Sequence, residues 1–190
     1  LNVLKQESWE WVKAIVIGLT IIIVIKSFFV TNYSVSGQSM EPILKNGDKV
    51  LVSKISYIIG DIDRLDVLVF HKDENEDYVK RVIGIPGDVI SYVNDELFIN
   101  KKRVEEPYLI SYGAYQHPDD RLTENFTLES LTGNIQVPPD SYFVLGDNRR
   151  HSLDSRYFEF IKRETIVGEV VAMYWPLETA TINFTGKNPE

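Results

Sequence analysis

The sequence predicts a mainly β body, preceded by one N-terminal transmembrane helix and interrupted by a small insert. Three observations predict it. The apolar run Ala14 to Val30 is long enough to enter a bilayer as a helix. Beyond Tyr33 the pattern changes to short alternating or β-branched runs broken by turn residues. The stretch from about Asn100 to Pro138 is more polar and less periodic, as expected of an insert between two core strands. A chain of 190 residues, 44% hydrophobic and 25% charged, suits one packed body rather than several.

Taken in order, residues 1–11 form a short N-terminal segment and 12–30 the anchor, since extending the run back to Val12 spans about 30 Å of hydrocarbon at 1.5 Å per residue. Trp9 and Trp11 on one side and Tyr33 on the other stand where interfacial aromatics belong. Lys26 interrupts the run near its end, where its stem can snorkel to the headgroups. Two other readings of the run are a buried core helix and a cleaved signal peptide, with Ser34 and Ser36 spaced like a cleavage site. The uncleaved anchor fits better, because the run exceeds a usual signal-peptide core and the preceding Lys5, Glu7, Glu10 and Lys13 are mixed in sign. Those same charges specify orientation poorly. Residues 31–190 then form the body. Its strands are expected at Lys49 to Lys54, Asp66 to His71, Tyr78 to Ile85, Val89 to Val93, Glu96 to Ile99, Ser141 to Leu145 and Thr165 to Trp175. Asn46-Gly47-Asp48, Pro86-Gly87-Asp88, Asn94-Asp95 and Pro138-Pro139-Asp140 mark turns.

A formal net charge of -8 disfavours nucleic acid as a partner, because affinity for a phosphate backbone comes from Lys and Arg. It also disfavours a basic face resting on anionic lipid. With no cysteine, thiol catalysis, disulfides and cysteine-ligated zinc are excluded.

Three segments carry candidate chemistry: Ser36-Gly37-Gln38-Ser39-Met40-Glu41-Pro42, Tyr78-Val79-Lys80-Arg81-Val82-Ile83-Gly84-Ile85-Pro86-Gly87-Asp88, and Gly146-Asp147-Asn148-Arg149-Arg150-His151-Ser152-Leu153-Asp154-Ser155-Arg156. Each alone is unremarkable: a serine in a Gly-containing loop, a lysine on a strand edge, a cluster of turn formers and surface charges. In their order, the three closely resemble the type I signal peptidases, bacterial Ser/Lys endopeptidases, in a form like that of Gram-positive bacteria. Gly47-Asp48-Lys49-Val50-Leu51-Val52 and Gly168-Glu169-Val170 extend the resemblance.

The resemblance implies an antiparallel β-sheet body with a smaller inserted β region. It implies Ser39 as nucleophile and Lys80 as general base. Ser152 matches an orienting partner for the lysine amine, Asp154 and Arg156 a supporting ion pair, and Asp147 and Asn148 positions that shape the site. Ser36, Gly37, Gln38 and Met40 flank the nucleophile as substrate-binding candidates, Met40 being as readily a core residue. Where some relatives carry a serine at the position of Gly37 to hold the oxyanion, this chain has none, which shifts that task to backbone N–H groups such as that of Ser39. The implied substrates are exported preproteins, cut after small residues of Ala-X-Ala type. The implied setting is the cell membrane, with the amino terminus cytoplasmic, the catalytic body outside, the lipid bilayer as partner and no cofactor.

The chemistry stands on the residues as well. A serine hydroxyl is a weak nucleophile until a base takes its proton, and Ser/Lys pairs are one solution. An exposed lysine, with a pKa near 10.4, is almost wholly protonated, so the base must be desolvated. Tyr78, Val79, Val82, Ile83 and Ile85 around Lys80 are apolar enough to do this. A His151/Asp154 triad is the weaker alternative, because no nucleophile-elbow sequence surrounds Ser39. His71, His117 and His151 lack metal-ligand spacing. Eight residues between Val30 and Ser39 keep the nucleophile within roughly 30 Å of the bilayer, in reach of membrane-tethered substrates. An extended substrate is expected along Ser34 to Gln38 and Asp77 to Val82. The runner-up functions are a catalytically silent homologue acting as a membrane assembly or chaperone factor, and an intracellular self-cleaving repressor. Retention of both Ser39 and Lys80 disfavours the first, and the apolar span without a DNA-binding motif disfavours the second.

Overall fold

Helix α1 (Asn2–Phe29) leads directly into the first strand of the body. The computed structural model describes residues 2–55, 60–112, 121–182 and 184, with backbone alone for 2–8, 24–28 and 110–112. Along α1 the large apolar side chains stand exposed, among them Trp11, Ile15, Ile17 and Ile23. Among the described residues no helix is long and apolar enough to cross a membrane. The side chains described on α1 are those of Trp9 to Ile23 and Phe29, short of the expected 12–30 span, and Val30 belongs to the strand that follows. The side chain of Lys26 and the whole of His117 lie outside the described residues.

Eleven strands are formed: β1 (Val30–Ser34), β2 (Lys49–Ser53), β3 (Val67–His71), β4 (Asp77–Gly84), β5 (Ile90–Val93), β6 (Glu96–Ile99), β7 (Lys102–Val104), β8 (Phe126–Thr127), β9 (Ser141–Leu145), β10 (Ile161–Lys162) and β11 (Ile166–Trp175), all within the described residues. They build a seven-stranded sheet in the order β1-β2-β11-β3-β4-β9-β10 and a four-stranded sheet in the order β7-β6-β5-β8. Every named pairing is antiparallel. The body is therefore the mainly β, antiparallel one that was expected. β2 and β11 alternate buried with part-exposed residues, as half-covered strands do, whereas Ser141–Leu145 of β9 is buried throughout because the small sheet covers its second face.

The smaller sheet begins earlier than the sequence indicates, at Ile90 rather than near Asn100. Val89 to Val93 and Glu96 to Ile99 have the same alternation as body strands, and periodicity does not record which sheet a strand joins. Asn94 and Asp95, both at positive φ (52° and 64°), close the β5–β6 hairpin in the conformation that suits the twist of its strands.

Two apolar clusters hold the site from either side. Val35, Met40, Leu44, Val50, Val69 and Met173 pack beneath the segment that follows β1. Ile83, Phe143 and Leu145 of the large sheet pack on Ile90, Tyr92, Leu97 and Phe126 of the small one, fixing the two sheets against each other. Burial of such side chains stabilises by about 1.5–3 kcal/mol each, an upper estimate before conformational entropy is set against it.

Candidate active site

The chain leaving β1 is pinned by backbone bonds from Val35 N to Asp48 O (2.8 Å) and from Gly47 N to Val35 O (2.9 Å). At Gly37 it turns through φ 89°, a conformation that favours glycine, with its N–H donated to Asn46 Oδ1 at 3.0 Å. Met40 is 1% exposed and drives the loop into the core, leaving Ser39 half-buried at the surface of a cleft. Asn148 clamps the same loop from the other side: its backbone N–H donates to Ser39 O and its Nδ2 to Gln38 O, both at 3.0 Å.

Lys80 sits mid-strand in β4, opposite Leu68 of β3, and is 3% exposed. Its Nζ lies 2.7 Å from Ser39 Oγ and 5.0 Å from the centre of the Tyr78 ring. Burial lowers its pKa from 10.5 to about 8, against the opposing pull of the Asp154 and Asp147 carboxylates. A hydroxyl at hydrogen-bond distance from an amine that can be neutral near physiological pH is what base-assisted nucleophilic attack requires.

The turn after β9 supplies the surrounding charges. Asp154, fully buried, accepts from Gly146 N (3.0 Å), caps the short helix α2 (Ser155–Phe158) at Arg156 N, and pairs at two points with the Arg156 guanidinium, 2.8 Å each. Asp147 pairs at two points with Arg81, at 2.8 and 2.7 Å, with both side chains at 0% exposure. Arg149, also buried, donates to Gly146 O, Tyr92 Oη, Thr123 Oγ1 and Glu106, tying the small sheet to the turn. Ser152 Oγ is buried with no hydrogen-bond partner among the described residues. A Cβ on Gly146 would fall 2.2 Å from that hydroxyl and 2.5 Å from Ser39 O, so only glycine allows the turn to press this close to the Ser39 loop.

The cleft, about 540 Å³, is lined by Tyr33 to Ser39 from the β1 side, by Asn75 to Lys80 on the β4 side, by Val50 and Val69 at its floor, and by His151 and Leu153. Its far end is bridged by Tyr33 Oη donating to Asp77 Oδ2 at 2.8 Å, with His71 Nδ1 2.5 Å from the other oxygen. Burial first, then Asp77, push the Tyr33 hydroxyl up to about 12.

Ser39, Lys80, Asp147, Asn148, Asp154 and Arg156 are thus gathered in one place, and Ser36, Gly37 and Gln38 line the cleft. Met40 does not line it, because the turn at Ser39 directs the methionine into the core. Ser152 is not bonded to the Lys80 amine, which reaches Ser39 instead. The free edge of β4 ends at Lys80 rather than Val82, since Arg81 onward is paired with β9. His151 Nδ1 faces Asn148 Oδ1 at 3.2 Å and not Asp154, whose carboxylate is taken by Arg156, so the His151/Asp154 pair of a triad does not form. Sequence reasoning gave no role to Arg81, Arg149 and Glu106. Arg81 adjoins Lys80 and Arg149 lies within the third motif, whereas Glu106, in the aperiodic stretch, carried no local signal.

The model of the family described as signal peptidase, peptidase S26, matches residues 8–175. Signal peptidase I of Bacillus caldolyticus is 48% identical over 180 residues, covering 95% of this chain and 96% of that protein. Signal peptidase IB of Staphylococcus aureus is 40% identical over 190 residues, covering 97% and 98%. A crystal structure of a signal peptidase I from Enterococcus faecalis is 38% identical and aligns with a TM-score of 0.54, over 59% of this chain and 98% of that one. An antiparallel body carrying a serine beside a buried amine is in keeping with a serine hydrolase. The chain belongs to the signal peptidase family, peptidase S26, and is a serine peptidase.

Proposed function

We propose that the chain removes N-terminal signal peptides from exported preproteins, with Ser39 as nucleophile and Lys80 as general base. The observation that carries the dyad is the 2.7 Å contact between Lys80 Nζ and Ser39 Oγ on a lysine whose burial brings its pKa to about 8. Neutral Lys80 takes the Ser39 proton as Oγ attacks the scissile carbonyl, and the resulting ammonium returns a proton to the leaving amine. Water then hydrolyses the acyl-serine with Lys80 again as base. The Ser39 N–H, which has no acceptor among the described residues, is a donor for the oxyanion. Asn148 holds the Ser39 loop, the Asp147/Arg81 and Asp154/Arg156 pairs hold the turn that carries it, and the unpartnered Ser152 hydroxyl receives the amine as it moves off Ser39.

Substrate recognition follows from the cleft. An extended peptide adds along Ser34–Gln38 and the free edge of Asp77–Lys80. Val35, Val50, Val69 and Val79 line this part, an aliphatic surface that suits a small apolar side chain, in line with cutting after Ala-X-Ala. The exposed apolar side chains of α1 fit a bilayer environment better than water, with 1–11 cytoplasmic, an anchor over 12–30 and the body of 31–190 extracytoplasmic. Purified full-length chain in detergent or lipid should cleave a preprotein, while Ser39→Ala and Lys80→Ala should each lose at least about a thousandfold in rate. Cleavage surviving either substitution would overturn the mechanism. Release of the chain from membranes by alkaline carbonate would overturn the anchor.

A further inference from the structure

We infer that His151 and Leu153 form the subsite for the residues that follow the scissile bond, and so set a preference for the start of the released chain. The inference rests on the reading of Ser39 as nucleophile. Both peptide-pairing edges of the cleft stop at the dyad: one ends at Ser39, and the other at Lys80, beyond which β4 is taken up by β9. The cleft is also lined by His151 and Leu153, which belong to neither edge. With the acyl part of a substrate along the two edges and Val50 and Val69 beneath it, these two side chains are the lining left for the amine part.

Their setting is that of a rigid wall. Over residues 151–153 burial alternates, with Ser152 inward and its two neighbours exposed. Leu153 is 47% exposed, so it contributes little to the core while presenting an aliphatic surface to the cleft. The segment is fixed at one end by His151 N donating to Asn148 O at 3.0 Å and at the other by buried Asp154. Asn148 also defines the histidine's chemistry. Its Nδ2 is committed to Gln38 O, which turns Oδ1 toward His151 and makes Nδ1 the protonated nitrogen, leaving Nε2 of the neutral ring as an acceptor. The wall therefore offers one aliphatic contact and one acceptor for a peptide N–H or a side-chain donor. It suits an aliphatic residue just after the cut, with a backbone N–H or an amide or hydroxyl group beside it.

Two peptide libraries test this, one varied at the first and second residues after the cut and one at the first and third residues before it, each read as kcat/KM by mass spectrometry. Leu153→Ala should reduce the preference for aliphatic residues after the cut roughly fivefold to tenfold, and Leu153→Met should retain most of it. His151→Ala should lose discrimination for donor-bearing residues, with His151→Gln, which keeps an acceptor, intermediate. The ranking before the cut should not move. If Leu153→Ala and His151→Ala both leave the after-cut ranking as in the wild type, or if the before-cut ranking changes instead, the assignment is wrong. Ser39→Ala run alongside separates the failures. Cleavage by it removes the nucleophile reading and this inference together, whereas an inactive Ser39→Ala with an unchanged after-cut ranking removes this inference alone.

Discussion

Replacing Lys80 by methionine should abolish cleavage and at the same time stabilise the fold. Lys80 is 3% exposed, and bringing its pKa from 10.5 to about 8 corresponds to roughly 3 kcal/mol of preference for the neutral amine. Burial is the leading cause, and the Asp154 and Asp147 carboxylates oppose it. Below pH about 8 the amine is charged in both folded and unfolded chains, and the folded state bears the full cost of burying it. Between about 8 and 10.5 the folded chain has shed that proton while the unfolded chain still holds it, so stability climbs with pH, and above 10.5 the cost is gone. Methionine fills a similar volume without charge, so Lys80→Met should exceed the wild type by up to about 3 kcal/mol at pH 7, with the difference fading toward pH 10.5. Urea unfolding in detergent at several pH values measures this directly. In parallel, wild-type cleavage of a soluble peptide should rise through a single ionisation near pH 8. A stability difference independent of pH, together with a rate that is flat from neutral to pH 9, would refute the reasoning.

Gly146→Ala should lower kcat roughly a hundredfold with little change in KM, because the new Cβ collides with Ser152 Oγ and with Ser39 O and displaces the nucleophile; steady-state kinetics on a peptide measures it. Ser152→Ala removes a buried hydroxyl without a partner, so stability should hold or rise by about 1 kcal/mol, while kcat falls about tenfold with its pH midpoint unmoved. Arg156→Gln leaves the buried Asp154 carboxylate unpaired, which should cost about 3–5 kcal/mol in urea unfolding and move the alkaline rise in activity above pH 8, because an unpaired carboxylate favours charged Lys80.

The body strands were legible because β-branched alternation and turn residues coincide there, and Glu96–Ile99 and Ser141–Leu145 run just as the pattern indicates. β1 was not, because Val30–Ser34 continues an apolar run on one side and turns polar on the other, so no period of two develops. Phe126–Thr127 and Ile161–Lys162 are two residues each, too short to show any period. In the site, the meeting of Ser39 with Lys80 was legible because their flanking residues form extended motifs. Their environment could not: Glu106 meets Arg149 from 43 positions away, and Arg81 meets Asp147 from 66, so these pairings exist only once the sheets are packed. Of the two readings open for Met40, cleft or core, the structure has the core one, since adjacency in a turn sends neighbouring side chains to opposite sides. Ser152 is expected beside the lysine amine, but that amine lies on Ser39 and the Ser152 hydroxyl has no partner among the described residues.

These long-range ion pairs explain how the amine of a lysine in such acidic company can titrate near 8, as the proposed base must. Asp147 and Asp154 both raise the pKa of Lys80, and two bare carboxylates would keep the amine protonated and useless. Each instead faces a guanidinium at two points, Arg81 for Asp147 and Arg156 for Asp154. An arginine does not surrender its proton under these conditions, so the neutralisation is permanent across the working pH range. With the carboxylate field largely answered, burial outweighs it and the amine titrates near 8. The same pairs fix the turn that carries Asn148, whose side chain and backbone hold the Ser39 loop, so the groups that tune the Lys80 amine also position Ser39. Arg149 extends this to the small sheet through Glu106 and Tyr92, which makes that sheet part of what positions Ser39 and Lys80 and not an appendage to them.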